Sequence, residues 1–126
     1  NVCDIGTLAS NITDVKEIDN PNVVKVYIDK LLKEDNFLDV KDFFRTKKDK
    51  NKEKIYHHCG VYIFTKDALS RYVNLPRSKL EIERNLEQMR AMENGMKIKV
   101  GLSDSIPLSV DTEQDLKKIK EEMEKQ

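Results

Sequence analysis

Residues 55–64, Ile-Tyr-His-His-Cys-Gly-Val-Tyr-Ile-Phe, run for ten positions without Asp, Glu, Lys or Arg in a chain where 37% of residues are of those types. β-branched and aromatic side chains dominate the run, and such types fill pleated, buried surface. The run predicts a central β-strand over 55–64, buried on both faces. Everything else in the chain must supply its neighbours.

Two alternations offer further strands. After the turn signal Asn20-Pro21-Asn22, Val24, Val26 and Ile28 alternate with Lys25 and Tyr27, which predicts a half-buried strand over 22–29. Met96, Ile98, Val100 and Leu102 alternate with Lys97 and Lys99, which predicts a more exposed strand. Val2 to Leu8 reads as the end of an element, and with Asn1 rather than Met in first place the expectation is a piece of a longer chain.

Helices fit between and after the strands. Ser78-Lys79-Leu80-Glu81 has the form of a capping box; Ile82, Leu86, Met89 and Met92 keep helical spacing, and Asn94-Gly95 is a stop signal. The spacing predicts one helix over 79–94. Thr65 is the expected cap of a short helix at 66–73, closed off before Pro76. Thr112 starts a last, surface helix whose Leu116, Ile119 and Met123 form a narrow apolar stripe. Strands alternating with helices indicate an α/β layered sheet with flanking helices, and an antiparallel edge fits as well. One core is what 126 residues at 38% apolar content can fill.

Lys plus Arg and Asp plus Glu each number 23, so no net field draws the chain to nucleic acid or to a membrane surface. No apolar run approaches bilayer length and the start lacks the features of a secretory signal, so the expectation is a cytoplasmic protein without a membrane partner. Cys3 and Cys59 lie far apart with no metal-ligand companions and are expected to be reduced thiols. The tract 41–54 carries seven basic and three acidic side chains and no apolar period after Phe44, which predicts a loop. Such a tract fits a solvated connector, and its basic residues beside Phe43-Phe44 also fit single-stranded RNA.

Alternation places His58, Gly60, Tyr62 and Phe64 on one face of the 55–64 strand and Cys59, Val61 and Ile63 on the other. His58 and Tyr62 then flank the bare backbone of Gly60, a notch that suits a polyhydroxylated ligand; a buried His and Tyr satisfied by neighbours fits the same pattern. Glu87, Gln88 and Arg90 combine an acid, an amide and a guanidinium on successive helical turns, with Arg90 suited to an anion, though a solvated helix face has the same composition. Asp111 stands at a loop-to-helix junction, where a carboxylate either caps the helix or holds Mg²⁺. The common phosphate-binding and nucleophile motifs are absent.

In order and spacing, His58-Cys59-Gly60-Val61-Tyr62, Arg71-Tyr72-Val73-Asn74, Ser78 to Glu81, Leu86 to Arg90, Lys97 to Val100 and Val110 to Leu116 resemble the C-terminal half of the 3-deoxy-manno-octulosonate (Kdo) cytidylyltransferases. Thr7-Leu8-Ala9 and Asn20 to Val26 extend the resemblance over nearly the whole chain. The resemblance implies a glycosyltransferase-A-like nucleotidyltransferase fold. It further implies a Mg²⁺-dependent, homodimeric enzyme joining CTP and Kdo to give CMP-Kdo and pyrophosphate for lipopolysaccharide synthesis. On this basis Asp111 is the catalytic metal ligand, and His58, Tyr62, Glu87, Gln88 and Arg90 line or support the sugar pocket. Phe43-Phe44-Arg45 is similar to the family's aromatic strand ending in Arg, followed here by the Lys-rich tract in place of a proline segment. The family's nucleotide loop has no counterpart in this sequence. The other functions open at this stage are a cytidylyltransferase for another acidic sugar, such as a sialic acid, and a binding or assembly module without catalysis.

Overall fold

The computed structural model describes residues 3–14, 16–34, 36–46 and 54–103, together with Lys117, Lys120, Glu121, Met123 and Glu124, which are helical. Six strands are present: β1 (Ile5–Ser10), β2 (Lys25–Tyr27), β3 (Phe37–Asp39), β4 (Asp42–Phe44), β5 (Ile55–Phe64) and β6 (Ile98–Leu102). Four helices accompany them: α1 (Lys16–Asp19), α2 (Lys66–Val73), α3 (Lys79–Arg84) and α4 (Gln88–Glu93).

The strands form one mixed sheet in the order β3-β6-β1-β5-β2-β4. β1 and β6 are parallel, and the other pairings are antiparallel. β3 and β4 stand at opposite ends of that order although only Val40 and Lys41 separate them in sequence. The Val40 N–H donates to Ile98 of β6 and the Lys41 N–H to Tyr27 of β2. Adjacent Cα atoms are about 3.8 Å apart, so the sheet curls until its two edges meet in one stretch of chain.

The uncharged run forms β5 over the expected residues, and its faces sort as alternation requires. Cys59, Val61 and Ile63 gather with Leu8 and Met123 on one side, while Tyr56, Tyr62 and Phe64 join the main core on the other. Burial on both faces holds only for its first half. From Gly60 onward the strand is exposed or half-buried, because the sheet there faces a cavity. β6, expected to be the more exposed strand, is buried at four of five positions since β3 covers its outer edge. β2 is shorter than the expected 22–29 and buries Lys25 completely, the Lys25 ammonium donating to the Asn20 and Arg45 carbonyls. The tract 41–54 is not all loop: Asp42–Phe44 is an edge strand with both phenylalanines buried.

α2 begins as expected, with the Thr65 hydroxyl accepting from the Ala68 N–H at 3.1 Å. The Ser78–Glu81 capping box is complete. The single helix expected over 79–94 is instead two, α3 and α4, broken at Asn85, whose φ of 55° is left-handed. Asn is among the few residues that accept this region at small cost. The break reorients the apolar positions: Leu86, Met89 and Ala91 enter the core while Ile82 stays exposed. Burying a side chain of this size stabilises by roughly 1.5–3 kcal/mol, enough to outweigh a lost helical turn. Gly95, with φ of 77°, ends α4 at the expected stop.

Candidate functional site

A cavity of about 540 Å³ opens between β5, α2 and the α3–α4 break. It is lined by His58, Gly60, Tyr62 and Phe64 of β5, which form its floor, by Leu69, Tyr72 and Val73 of α2, and by Asn85, Leu86, Glu87 and Gln88 around the break. Four of the residues singled out from sequence, His58, Tyr62, Glu87 and Gln88, therefore share one space.

The floor's three rings belong to a longer aromatic series. Phe43, His58, Tyr62, Phe64 and Tyr72 follow one another at ring-centroid distances of 5.0, 5.2, 6.5 and 5.4 Å. Such edge-to-face and tilted contacts fix ring orientation as well as bury area. His58 is 7% exposed, and burial, with His57 adding a smaller push, lowers its pKa to about 3. Burial first, then Tyr72 and Glu87, raises the Tyr62 phenol well above its usual value. At neutral pH the floor thus presents a neutral imidazole and a neutral phenol, both able to hydrogen-bond hydroxyl groups.

Arg90 does not face the cavity. Its guanidinium is engaged by buried Glu81, with Nε and Nη2 donating at 2.9 and 2.6 Å, and it lies 5.0 Å from the centre of the Tyr72 ring. The Glu81 carboxylate also accepts from the Ser78 N–H at 3.0 Å. The Arg90 hydrogen bonds come first among the causes that hold the Glu81 pKa down at about 2. Of the two positions open to Arg90, lining the pocket or supporting it, its contacts are those of support: it ties α4 to α3 and backs Tyr72, whose hydroxyl donates to the Glu87 carbonyl at 3.1 Å.

Arg45, at the end of β4, is the cation that lines the cavity. Its N–H groups reach the carbonyls of Arg84, Pro21 and Asn85 at 3.2, 3.0 and 3.0 Å. The helix break supplies two of those carbonyls, so the break at Asn85 and the placement of Arg45 are one arrangement. Sequence reasoning did not assign Arg45 to the site; the available signal was the aromatic strand that ends in it. Asp111 lies outside the described residues. Among those described, no three His, Cys, Asp or Glu side chains come together as metal ligands.

Thr7, fully buried on β1, sits beneath the floor. The β1–β5 register slips by two residues at this point, Thr7 pairing with Tyr62 and Leu8 with Cys59. An even slip keeps the alternation of faces, so the cavity side of β5 remains continuous.

A family model described as Cytidylyltransferase matches residues 1–98. The chain is 46% identical over 113 residues to the 3-deoxy-manno-octulosonate cytidylyltransferase of Rhodopseudomonas palustris, covering 90% of this chain and 45% of the relative. It is 45% identical over 123 residues to that of Afipia carboxidovorans, covering 98% and 49%. A solved structure of CMP:2-keto-3-deoxy-manno-octonic acid synthetase complexed with CTP superposes with a TM-score of 0.67 at 28% identity, over 98% of this chain and 50% of that one. The chain spans about half the length of the relatives it matches.

Proposed function

The chain belongs to the cytidylyltransferase family, and from that premise we propose that it is the sugar-holding part of an enzyme that couples Kdo to CTP, giving CMP-Kdo and pyrophosphate. The observation that carries the sugar assignment is the convergence of His58, Tyr62, Glu87, Gln88 and Arg45 on one cavity. Kdo is an acidic sugar rich in hydroxyl groups. Neutral imidazole and phenol, a carboxylate and an amide offer donors and acceptors for those hydroxyls, and Arg45 is the cation for the sugar carboxylate. Aromatic contacts hold the imidazole and phenol, and three carbonyls hold Arg45, in advance of binding, which favours affinity by lowering the ordering cost.

Mg²⁺ belongs to the proposal, with Asp111 as its ligand from this chain. The described residues alone do not make a site for it. Where bound, Mg²⁺ neutralises charge on the nucleotide's phosphates; the residues of this chain orient the sugar whose hydroxyl attacks them. A homodimeric state, a cytoplasmic setting and a role in lipopolysaccharide synthesis complete the reading. No helix among the described residues is long and apolar enough to cross a membrane.

Titration of the isolated chain with Kdo tests the proposal by calorimetry. Saturable binding is expected, weakened about tenfold or more when Glu87→Gln removes a charged hydrogen-bond partner, since such bonds contribute about 1.5–3 kcal/mol. Heat no different from dilution, from protein shown to be folded, would sink the sugar assignment. A sialic acid in the same titration tests the neighbouring substrate class, and equal affinity for both would set Kdo aside as the specific ligand.

A further inference from the structure

Thr7 Oγ1 lies 2.9 Å from His58 Nε2, 2.7 Å from the Val61 carbonyl oxygen and 3.4 Å from the Cys59 carbonyl oxygen. A hydroxyl has one proton to give. Two oxygens 2.7 Å apart need a proton between them, and a carbonyl has none, so the Thr7 hydroxyl donates to Val61. The bond to His58 must then run the other way, Nε2–H donating to Thr7 Oγ1. With the ring neutral, Nδ1 is left with a bare lone pair. Among the described residues no other hydrogen bond reaches this ring, and His58 lines the cavity.

We infer that Thr7 is a positioning residue: braced by the Val61 carbonyl at the register slip, its hydroxyl takes the Nε2 proton of His58 and so presents that imidazole to the cavity as a hydrogen-bond acceptor at Nδ1. The inference rests in part on the sugar reading, because the group that Nδ1 accepts from is a ligand hydroxyl. His58 in this state prefers a hydroxyl donor to a carboxylate, which has no proton to offer. The acid of the ligand is thereby directed away from His58 and toward Arg45.

The chain has two histidines, so ring-nitrogen NMR of ¹⁵N-labelled protein reads both without ambiguity. His57 is an internal reference, since its Nδ1 is 2.6 Å from Glu17 Oε1 and carries the proton that the carboxylate accepts. His58 is expected to show a protonated Nε2 and a bare Nδ1 at neutral pH. Thr7→Ser keeps that pattern. Thr7→Val loses it and weakens Kdo binding by about tenfold, the loss of roughly one good hydrogen bond. Kdo shifts the Nδ1 resonance in wild type and in Thr7→Ser. A proton on Nδ1 of His58 in the wild type overturns the inference, as does a Thr7→Val protein with wild-type tautomer and affinity. Should Thr7→Val fail to fold, the wild-type tautomer and Thr7→Ser decide the question. The expected tautomer together with an Nδ1 signal unmoved by Kdo upholds the positioning role and overturns the sugar assignment instead.

Discussion

Gly60 is open where most strand residues are packed: a Cβ built there meets nothing within 4 Å, and its backbone is not left-handed. Glycine in a strand interior costs roughly 0.5–1 kcal/mol relative to alanine, so the fold gains nothing from it. Its empty side faces the cavity between His58 and Tyr62. Gly60→Val is therefore expected to hold or raise the melting temperature while Kdo affinity in calorimetry drops about tenfold or more, the β-branched side chain suiting the strand and filling the notch. Wild-type affinity in that variant would remove the floor from the ligand's footprint. His58 allows a second expectation. Its folded pKa of about 3 lies below the ordinary 6.5, so between those values the unfolded chain takes a proton that the folded one refuses. Stability then falls as pH falls through that window. At pH 5 the histidine's share is about 2 kcal/mol by linkage, and urea midpoints of wild type and His58→Gln should converge by that order between pH 7 and pH 5. The placement of His58 and Tyr62 was legible because strand alternation is a rigid rule. That of Arg45 was not, since it depends on carbonyls nearly 40 residues away.

Among the elements, the clearest lesson is the pair α3 and α4. Cap, apolar spacing and stop all agreed on one helix, and all three signals are real: the capping box forms and Gly95 ends the segment. What sequence could not show is that the core wants Leu86 and Met89 at an angle a straight helix cannot give, or that Asn85 can take the bend. Asn85→Gly is expected to match or slightly exceed wild-type stability because it removes the Cβ that the left-handed region penalises, and Asn85→Ala to lose about 1 kcal/mol because it keeps that Cβ without the short polar side chain that offsets the penalty in Asn. Denaturant midpoints decide it; an Ala variant as stable as wild type would show that the turn is not what fixes the break. The two helices are tied by Glu81 and Arg90, and the sign of their pH dependence follows from Glu81. Its folded pKa of about 2 is below the ordinary 4.5, so the stabilisation is complete above 4.5 and is lost as pH falls toward 2. Glu81→Gln should remove the part of acid unfolding that lies in that interval. Similarly, the lysines on one face of β6 suggest solvent, while its burial depends on a neighbour, β3, that carries little pattern of its own.

For the molecule as a whole, the sequence pattern supports an α/β arrangement and its resemblance a family, yet neither indicates that the two ends of the sheet meet at Val40 and Lys41. That meeting is a property of strand order, which local residue types do not encode. Asp111 falls outside the described residues, and its role is tested on activity rather than geometry. In a cytidylyltransferase of the relatives' full length built around this sequence, Asp111→Ala is expected to abolish nearly all Kdo-dependent pyrophosphate release from CTP, measured with a coupled phosphate assay. Undiminished release would take Asp111 out of the reaction. Val40 and Lys41 hold the two margins of the sheet with neighbouring amides. The two margins are therefore coupled through one short stretch of backbone: loosening β3 from β6 pulls directly on β4 and its pairing with β2.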